Sequence, residues 1–452
     1  MRQERDALGE WRMEDDAFYG IATARLVSAI TISGPAFPTE LLRNFLRVRQ
    51  AQAVAFGRSK RWGAQVSAAL ERAAGRLIAD ETLLVGQVRV LPLHGGGVRS
   101  LVLNLDEVLA NVALIEMGAA PGDYHLLAPL FHLDRGIQSL AAYMTAFHIA
   151  LLDGFVRLDA AFDAALTALA EQKQAFSRQE TVSRLQFQDV ELSTLGADFG
   201  RCQESLLRCR RQLEYWRAGL IPCWQGPPEV LPVLRELTEL DLAVRLSTED
   251  FPRNTDLYAA ISSYLKNTAL TLLQFCHRLR VLTGHSREID LPRLRSNTSF
   301  SPAQHEFLLL DTISQMGFAI CGADAATTAA LQCGLDDAGA YAPLFTVEIL
   351  RSGQWLTASL QLLTQQLASG LTGIAEPGRL RAATSPLQAE RLIPILGYER
   401  AVQVARIAAL TEKPVRVVVE KMKLLSAEQL DGIFPADDEP AETQSEIGEK
   451  IC

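Results

Sequence analysis

The chain has 452 residues, 48% of them hydrophobic, 7% aromatic and 21% charged, the make-up of a soluble globular protein long enough to bury more than one core. A net charge of -9 argues against a nucleic-acid partner, because phosphate backbones are held by concentrated Lys and Arg. The seven cysteines are odd in number and lack CxxC spacing, which points away from a zinc site or disulfide framework and toward free thiols in a reducing compartment.

The opening segment, MRQERDALGEWRMEDD, is charged and has no secretory apolar core. No uninterrupted apolar run approaches about 18 residues, so a cytoplasmic protein without a membrane partner is expected. Strand signals are scarce. Helical periodicity runs over residues 138–176, 198–216, 254–281, 302–331 and 342–371. In the third of these, Leu257, Ile261, Leu265, Ala269, Leu272, Cys276 and Leu279 form one apolar stripe, and Gly284 supplies a stop. Turn chemistry marks breaks at 34–38, 91–98, 118–123, 222–228 and 376–379. The mean globular helix has only about 11 to 12 residues, so several helices of this length imply an elongated bundle. Their apolar faces exceed what one chain covers, which predicts a helical oligomer. Arg clusters at 208–211 and 287–295 are interrupted by apolar residues and read as solvated faces or interface. The acidic tail, 435–452, is expected to be disordered.

Several segments resemble one family. Residues 106–118, DEVLANVALIEMG, follow its NEVLANxxLxxMG, and the opening retains Leu8, Gly9, Tyr19, Gly20, Thr23, Arg25 and Ile32-Ser33-Gly34 of DLLGxxxVPxxAYYGxxTxRAxxNFxISG. Residues 187–199, FQDVELSTLGADF, follow LQDAxPxxLGQEF, and residues 392–434 follow LNPxIGY through LTxxELDxIF. The chain thus resembles the aspartase/fumarase superfamily, and aspartate ammonia-lyases within it. The resemblance implies an all-α, three-domain fold with a long-helix central domain in the twenty-helix core of a homotetramer, and active sites composed from three subunits. The corresponding divisions are an N-terminal helical domain over 1–136, the central bundle over 137–382, and a small C-terminal helical domain over 383–434.

The family's signature loop, GSSxMPxKxNP, reads NTSFSPAQHEF at 297–307, where only Ser299 and Pro302 survive. The family's base is the first loop Ser, which corresponds to Thr298; Thr298 and its neighbour Ser299 are therefore the catalytic candidates. The alternative for Thr298 is a hydroxyl capping a helix that starts near Pro302. Abstracting a proton beside a carboxylate requires donors that grip both carboxylates of the substrate. The loop Lys and Asn are replaced by Gln304 and Glu306, so a cation is lost and an anion appears. GGAGTSxNMNxNEV reads GGGVRSLVLNLDEV at 95–108, leaving Arg99, Ser100 and Asn104 as candidates. HxNxxQSTND reads HLDRGIQSLA at 132–141, leaving His132 and Ser139, while RTxLQD reads RLQFQD at 184–189, leaving Gln186.

Two explanations stand for these losses. Either the pocket is refitted for a different small carboxylate substrate, with Arg99, His132, Asp134, Arg135, His305 and Glu306 as new contacts, or it is released from catalysis. In the second case the chain is a structural or regulatory paralogue, assembling as a hetero-oligomer with an active homologue, and Arg99 pairs with Asp106. No HxxxH or HExxH spacing occurs, so neither metal nor cofactor is expected.

Overall fold

The structure, a computed structural model, describes the chain except at residues 135–136, 138, 186–187, 221–223, 225, 240–254, 292–306, 334–338, 369 and 435–452, and the side chains of 185 and 219. It begins with a hairpin, β1 (Arg2–Asp6) against β2 (Gly9–Met13). Helices α1 (Ile21–Ala29), α2 (Thr39–Arg58), α3 (Ala64–Ala79), α4 (Glu81–Gln87) and α5 (Val98–Glu116) follow. A π-helical turn, Pro129–Asp134, precedes α6 (Ser139–Ala175). A second hairpin pairs β3 (Glu180–Leu185) with β4 (Gln188–Thr194) and leads into α7 (Leu195–Gly219). After α8 (Val230–Thr238) comes α9 (Thr255–Arg280), closed by the π turn Val281–His285. Strand β5 (Ile289–Asp290), helices α10 (Leu308–Gln332) and α11 (Ala342–Ala368), strand β6 (Thr372–Gly373) and α12 (Ala375–Thr384) complete the central part. A 3-10 turn, Pro386–Leu392, then α13 (Ile393–Leu396), α14 (Tyr398–Thr411), α15 (Val415–Lys421) and α16 (Ala427–Ile433) finish the described chain.

The five long periodic segments of the sequence are the five long helices α6, α7, α9, α10 and α11. Helix α9 runs from Thr255 to Arg280 and turns out through Gly284, as its apolar stripe and stop signal require. Two expectations are corrected. The fold is mostly rather than wholly helical, since three two-stranded antiparallel sheets join β1 to β2, β3 to β4 and β5 to β6. The break expected at 376–379 is instead the first turn of α12. Pro377 is tolerated there because the first N–H groups of a helix have no internal partner to lose.

Contacts gather the chain into two units, one of residues 1–160, 209–269 and 316–358, the other of 161–208, 270–315 and 359–452. In the first unit, α2 buries Leu41, Leu42, Phe45, Leu46 and Val48, and α5 buries nearly its whole length from Val98 to Leu114. In the second, Leu392, Val404, Val415, Val418, Val419, Leu430 and Phe434 close a small core of their own. There α16 opens with a capping box: Gln429 N–H donates to Ser426 Oγ at 3.3 Å, and Ser426 N–H to Gln429 Oε1 at 3.0 Å. Helix α6 is long and apolar enough to cross a membrane by length and composition, but 67% of its most apolar window is buried inside the protein.

Candidate functional site

Helix α5 carries the DEVLAN motif, and its polar side chains are engaged with the protein itself. Asp106 takes a bidentate pair from Arg49 of α2, Nε at 2.9 Å and Nη2 at 2.7 Å, with both side chains buried. Arg49 Nη1 also donates to the carbonyl of Leu133 at 2.9 Å, where Gln52 Nε2 joins it at 3.0 Å. One guanidinium thereby ties α2, α5 and the π turn together. Burial is the largest influence on Asp106 and raises its pKa to about 6, with Arg49 pulling the other way. Glu107 accepts the N–H groups of Gly20 and Ala22 at 2.9 Å and of Thr23 at 3.2 Å, holding the start of α1. A Cβ at Gly20 would lie 2.7 Å from the Glu107 carboxyl carbon, so only glycine permits that grip. Asn111 donates to Phe18 O at 2.8 Å and accepts from Gly122 N–H at 2.7 Å.

At the head of α5, the predicted substrate contacts divide. Asn104 is fully buried, accepts from Arg89 N–H at 2.7 Å and Val90 N–H at 3.2 Å, and donates to Gln87 O at 3.0 Å. It clamps the segment after α4, with its carbonyl oxygen taken by two N–H groups and its amide nitrogen engaged by Gln87 O. Ser100 donates to Gly95 O at 2.7 Å, closing the glycine turn. Gly97 has a φ of +59°, and a Cβ there would come within 2.6 Å of Gly339 O; the turn requires glycine in both conformation and space. Arg99 alone is exposed, with no hydrogen bond or ion pair among the described residues. The expected pairing of Arg99 with Asp106 does not occur, because Arg49 occupies both carboxylate oxygens.

His132 lies in the π turn, half-buried, its Nδ1 accepting the N–H of Ala128 at 3.1 Å. It faces a cavity of about 480 Å³ with Phe56, Arg61, Trp62 and Phe131. Ser139, at the start of α6, donates to Asp134 at 2.6 Å. No hydrogen bond or ion pair joins Arg99 to His132 or Ser139 among the described residues. Thr298, Ser299, Gln304, Glu306, Gln186, His305 and Arg135 lie outside the described residues. No three His, Cys, Asp or Glu side chains among the described residues are grouped to hold a metal.

The frame leading into the loop has a structural role that its sequence did not disclose. Glu288 is buried and receives Arg381 Nη1 at 2.6 Å, Arg184 Nη2 at 3.3 Å and the hydroxyl of Thr181. Its backbone carbonyl accepts Ile374 N–H at 2.7 Å. The carboxylate therefore anchors β3, the approach to β5 and α12 to one another. Burial first, then the charge of Arg184, hold Arg381 below the ordinary guanidinium range. The register of the hairpin shifts between Ser183 and Arg184, an irregularity of the kind that accompanies a β-bulge. Beside this knot, Arg278 donates to Asp198 at 2.7 and 3.1 Å, and Arg201 shares the same carboxylate. These four arginines come from β3, α7, α9 and α12 without motif spacing, and only Arg184 falls in a motif that the sequence offered as part of a site.

Residues 391–437 match the family described as Fumarase C C-terminus. Over 96% of its length the chain is 26% identical to the aspartate ammonia-lyase of Helicobacter pylori, covering 97% of that protein. It is 28% identical to the aspartate ammonia-lyase of Pseudomonas canavaninivorans, covering 96% of this chain and 95% of that one. Its fold superposes on the fumarate lyase:delta crystallin of Brucella melitensis with a TM-score of 0.88 at 26% identity, covering 96% and 99% of the two chains. The class II fumarase of Schistosoma mansoni gives a TM-score of 0.85 at 18% identity, covering 96% and 97%, a likeness of fold.

Proposed function

The chain belongs to the aspartase/fumarase superfamily, and from that premise we propose that it is a diverged cytoplasmic lyase, assembled as a homotetramer, whose composite pocket does not serve aspartate or malate. The observation that carries this reading is at the head of α5. Ser100 and Asn104 are turned onto backbone groups, and the side chain left open to solvent is the Arg99 guanidinium.

Elimination from a succinate-type substrate develops a second negative charge on one carboxylate, and donors around that position lower its barrier. Gln304 and Glu306, where the family carries Lys and Asn, remove a cation and add an anion. An anion beside a substrate carboxylate in a water-poor site opposes binding. Arg99 offers a planar fork that suits one carboxylate or phosphate group. The proposed substrate therefore carries one anionic head, held by Arg99, with Thr298 as the hydroxyl that moves a proton and His305 with Glu306 as the accessory acid and base. The reaction is an elimination or the reverse addition.

A second reading, a non-catalytic paralogue that assembles with an active homologue, is favoured by one observation: Ser139 is closed onto Asp134 and His132 onto its own turn. Thermal-shift measurements of the wild-type and Arg99→Ala proteins with monocarboxylates and succinate test both. The lyase reading predicts that a singly headed anion raises Tm in the wild type but not in Arg99→Ala, and that succinate does nothing. No shift with any anion, together with a mixed oligomer by native mass spectrometry, selects the second reading; an Arg99-independent shift with succinate defeats both.

A further inference from the structure

The second unit contains a cavity of about 270 Å³ lined by β3, the first turns of α7 and the last turns of α9. Arg184, Arg201 and Arg278 line it, and Asp198 is the one carboxylate among its described lining residues. Arg201 and Arg278 both bond to Asp198, so one negative charge answers two positive ones. The Arg184 side chain is only 6% exposed; its Nε meets Asp189 and its Nη2 meets Glu288, a carboxylate already shared with Arg381. Across these pairs four guanidiniums face three carboxylates. Nη1 of Arg184 is buried and has no partner among the described residues. A buried charged donor left unpaired is costly, and folds seldom keep one without a use. Ser205, also on the lining, accepts from Arg208 at 2.9 Å and keeps its own proton to donate.

We propose that this cavity is a binding site for a small phosphate-class dianion, either free phosphate or the head of a phosphomonoester. Arg184, Arg201 and Arg278 reach the lining of one cavity from one strand and two separate helices, an arrangement that suits the several oxygens of a tetrahedral dianion better than the single plane of a carboxylate. The positive surplus supplies the charge complement. The volume lies just below the roughly 300–1,000 Å³ of pockets that enclose drug-sized ligands, so the site takes a small anion rather than a nucleotide. Arg201, at the exposed rim, admits the ligand; Arg278 meets it inside, Ser205 adds a hydroxyl donor, and Arg184, whose Nη1 is closed off behind the lining, contributes its charge. The proposal does not rest on the lyase reading and needs no residue of the signature loop.

The test is a phosphorus NMR and calorimetric titration of the intact oligomer with inorganic phosphate and with glycerol phosphate at constant ionic strength, using succinate as the competitor. Saturable binding is expected, weakened roughly ten-fold or more by Arg201→Ala and by Arg278→Lys, with unchanged circular dichroism and with affinity intact in Arg99→Ala. Preference for glycerol phosphate over inorganic phosphate identifies a phosphomonoester as the source, and the reverse identifies free phosphate. Absence of saturable binding, equal competition by succinate, or loss of binding in Arg99→Ala instead of Arg201→Ala overturns the proposal.

Discussion

Two arginine-carboxylate knots in this chain are built alike and finished differently. Around Asp106, one buried guanidinium meets one buried carboxylate in a bidentate pair, and its remaining nitrogen is taken by the Leu133 carbonyl. Around Asp198, two guanidiniums share one carboxylate at the wall of a cavity, and neighbouring Arg184 keeps an unused nitrogen. The first knot is closed and holds helices together. The second is open and has charge to offer. The same distinction separates Asn104, filled by backbone partners, from Arg99, which faces solvent a few residues away.

Breaking the closed knot has the largest expected effect. Arg49→Met strands a buried carboxylate and is expected to cost about 3–5 kcal/mol, read by urea denaturation. Arg201→Ala, which removes a partner that is 54% exposed from Asp198, is expected to cost no more than about 1 kcal/mol. Equal losses would erase the contrast. Next is the pH dependence of Asp106. Its folded pKa of about 6 lies above the ordinary carboxylate value, so the folded state holds a proton that the unfolded chain gives up between about pH 4 and 6. That contribution favours the fold below this window and is lost as pH rises through it. Asp106→Asn is expected to remove the term, changing the stability difference between about pH 4.5 and pH 7 by on the order of 2 kcal/mol. An unchanged difference would mean that Arg49 keeps the carboxylate ionised throughout.

At the head of α5, Asn104→Leu leaves three backbone groups without their partner and is expected to cost about 2 kcal/mol, while Arg99→Ala stays within about 0.5 kcal/mol. A stability loss at Arg99 would turn it from a ligand-facing residue into a structural one. The smallest effect concerns the thiols: Cys276 is buried, with its pKa pushed up to about 12 by burial, whereas Cys333 is exposed. Alkylation of the native protein followed by peptide mass spectrometry is expected to label Cys333 fully before Cys276 reacts.

The long helices were legible because burial imposes a three-and-four spacing that survives without any alignment, as the stripe from Leu257 to Leu279 shows. The hairpins were not, since strands of two to seven residues carry too few alternations to stand out and form through the contacts that flank them. Pro377-Gly378 looked like a turn because a helix start and a turn use the same residues. The candidate site was harder. Asn104 is equally suited to a substrate or to a backbone clamp, and only the return of residues 87–90 past α5 decides for the clamp. Nothing in the sequence joins Arg184, Arg201 and Arg278, whose proximity depends on the register shift after Ser183 and on where α9 ends beside α7.

The central claim is that a pocket of this superfamily has here lost its hold on a dicarboxylate. The most direct measurement is fumarate formation, followed by absorbance, when the purified protein is given L-aspartate or L-malate. Absence of turnover with either substrate, in a preparation shown folded by circular dichroism, is the predicted result. Sustained, enzyme-proportional production of fumarate from L-aspartate would contradict it.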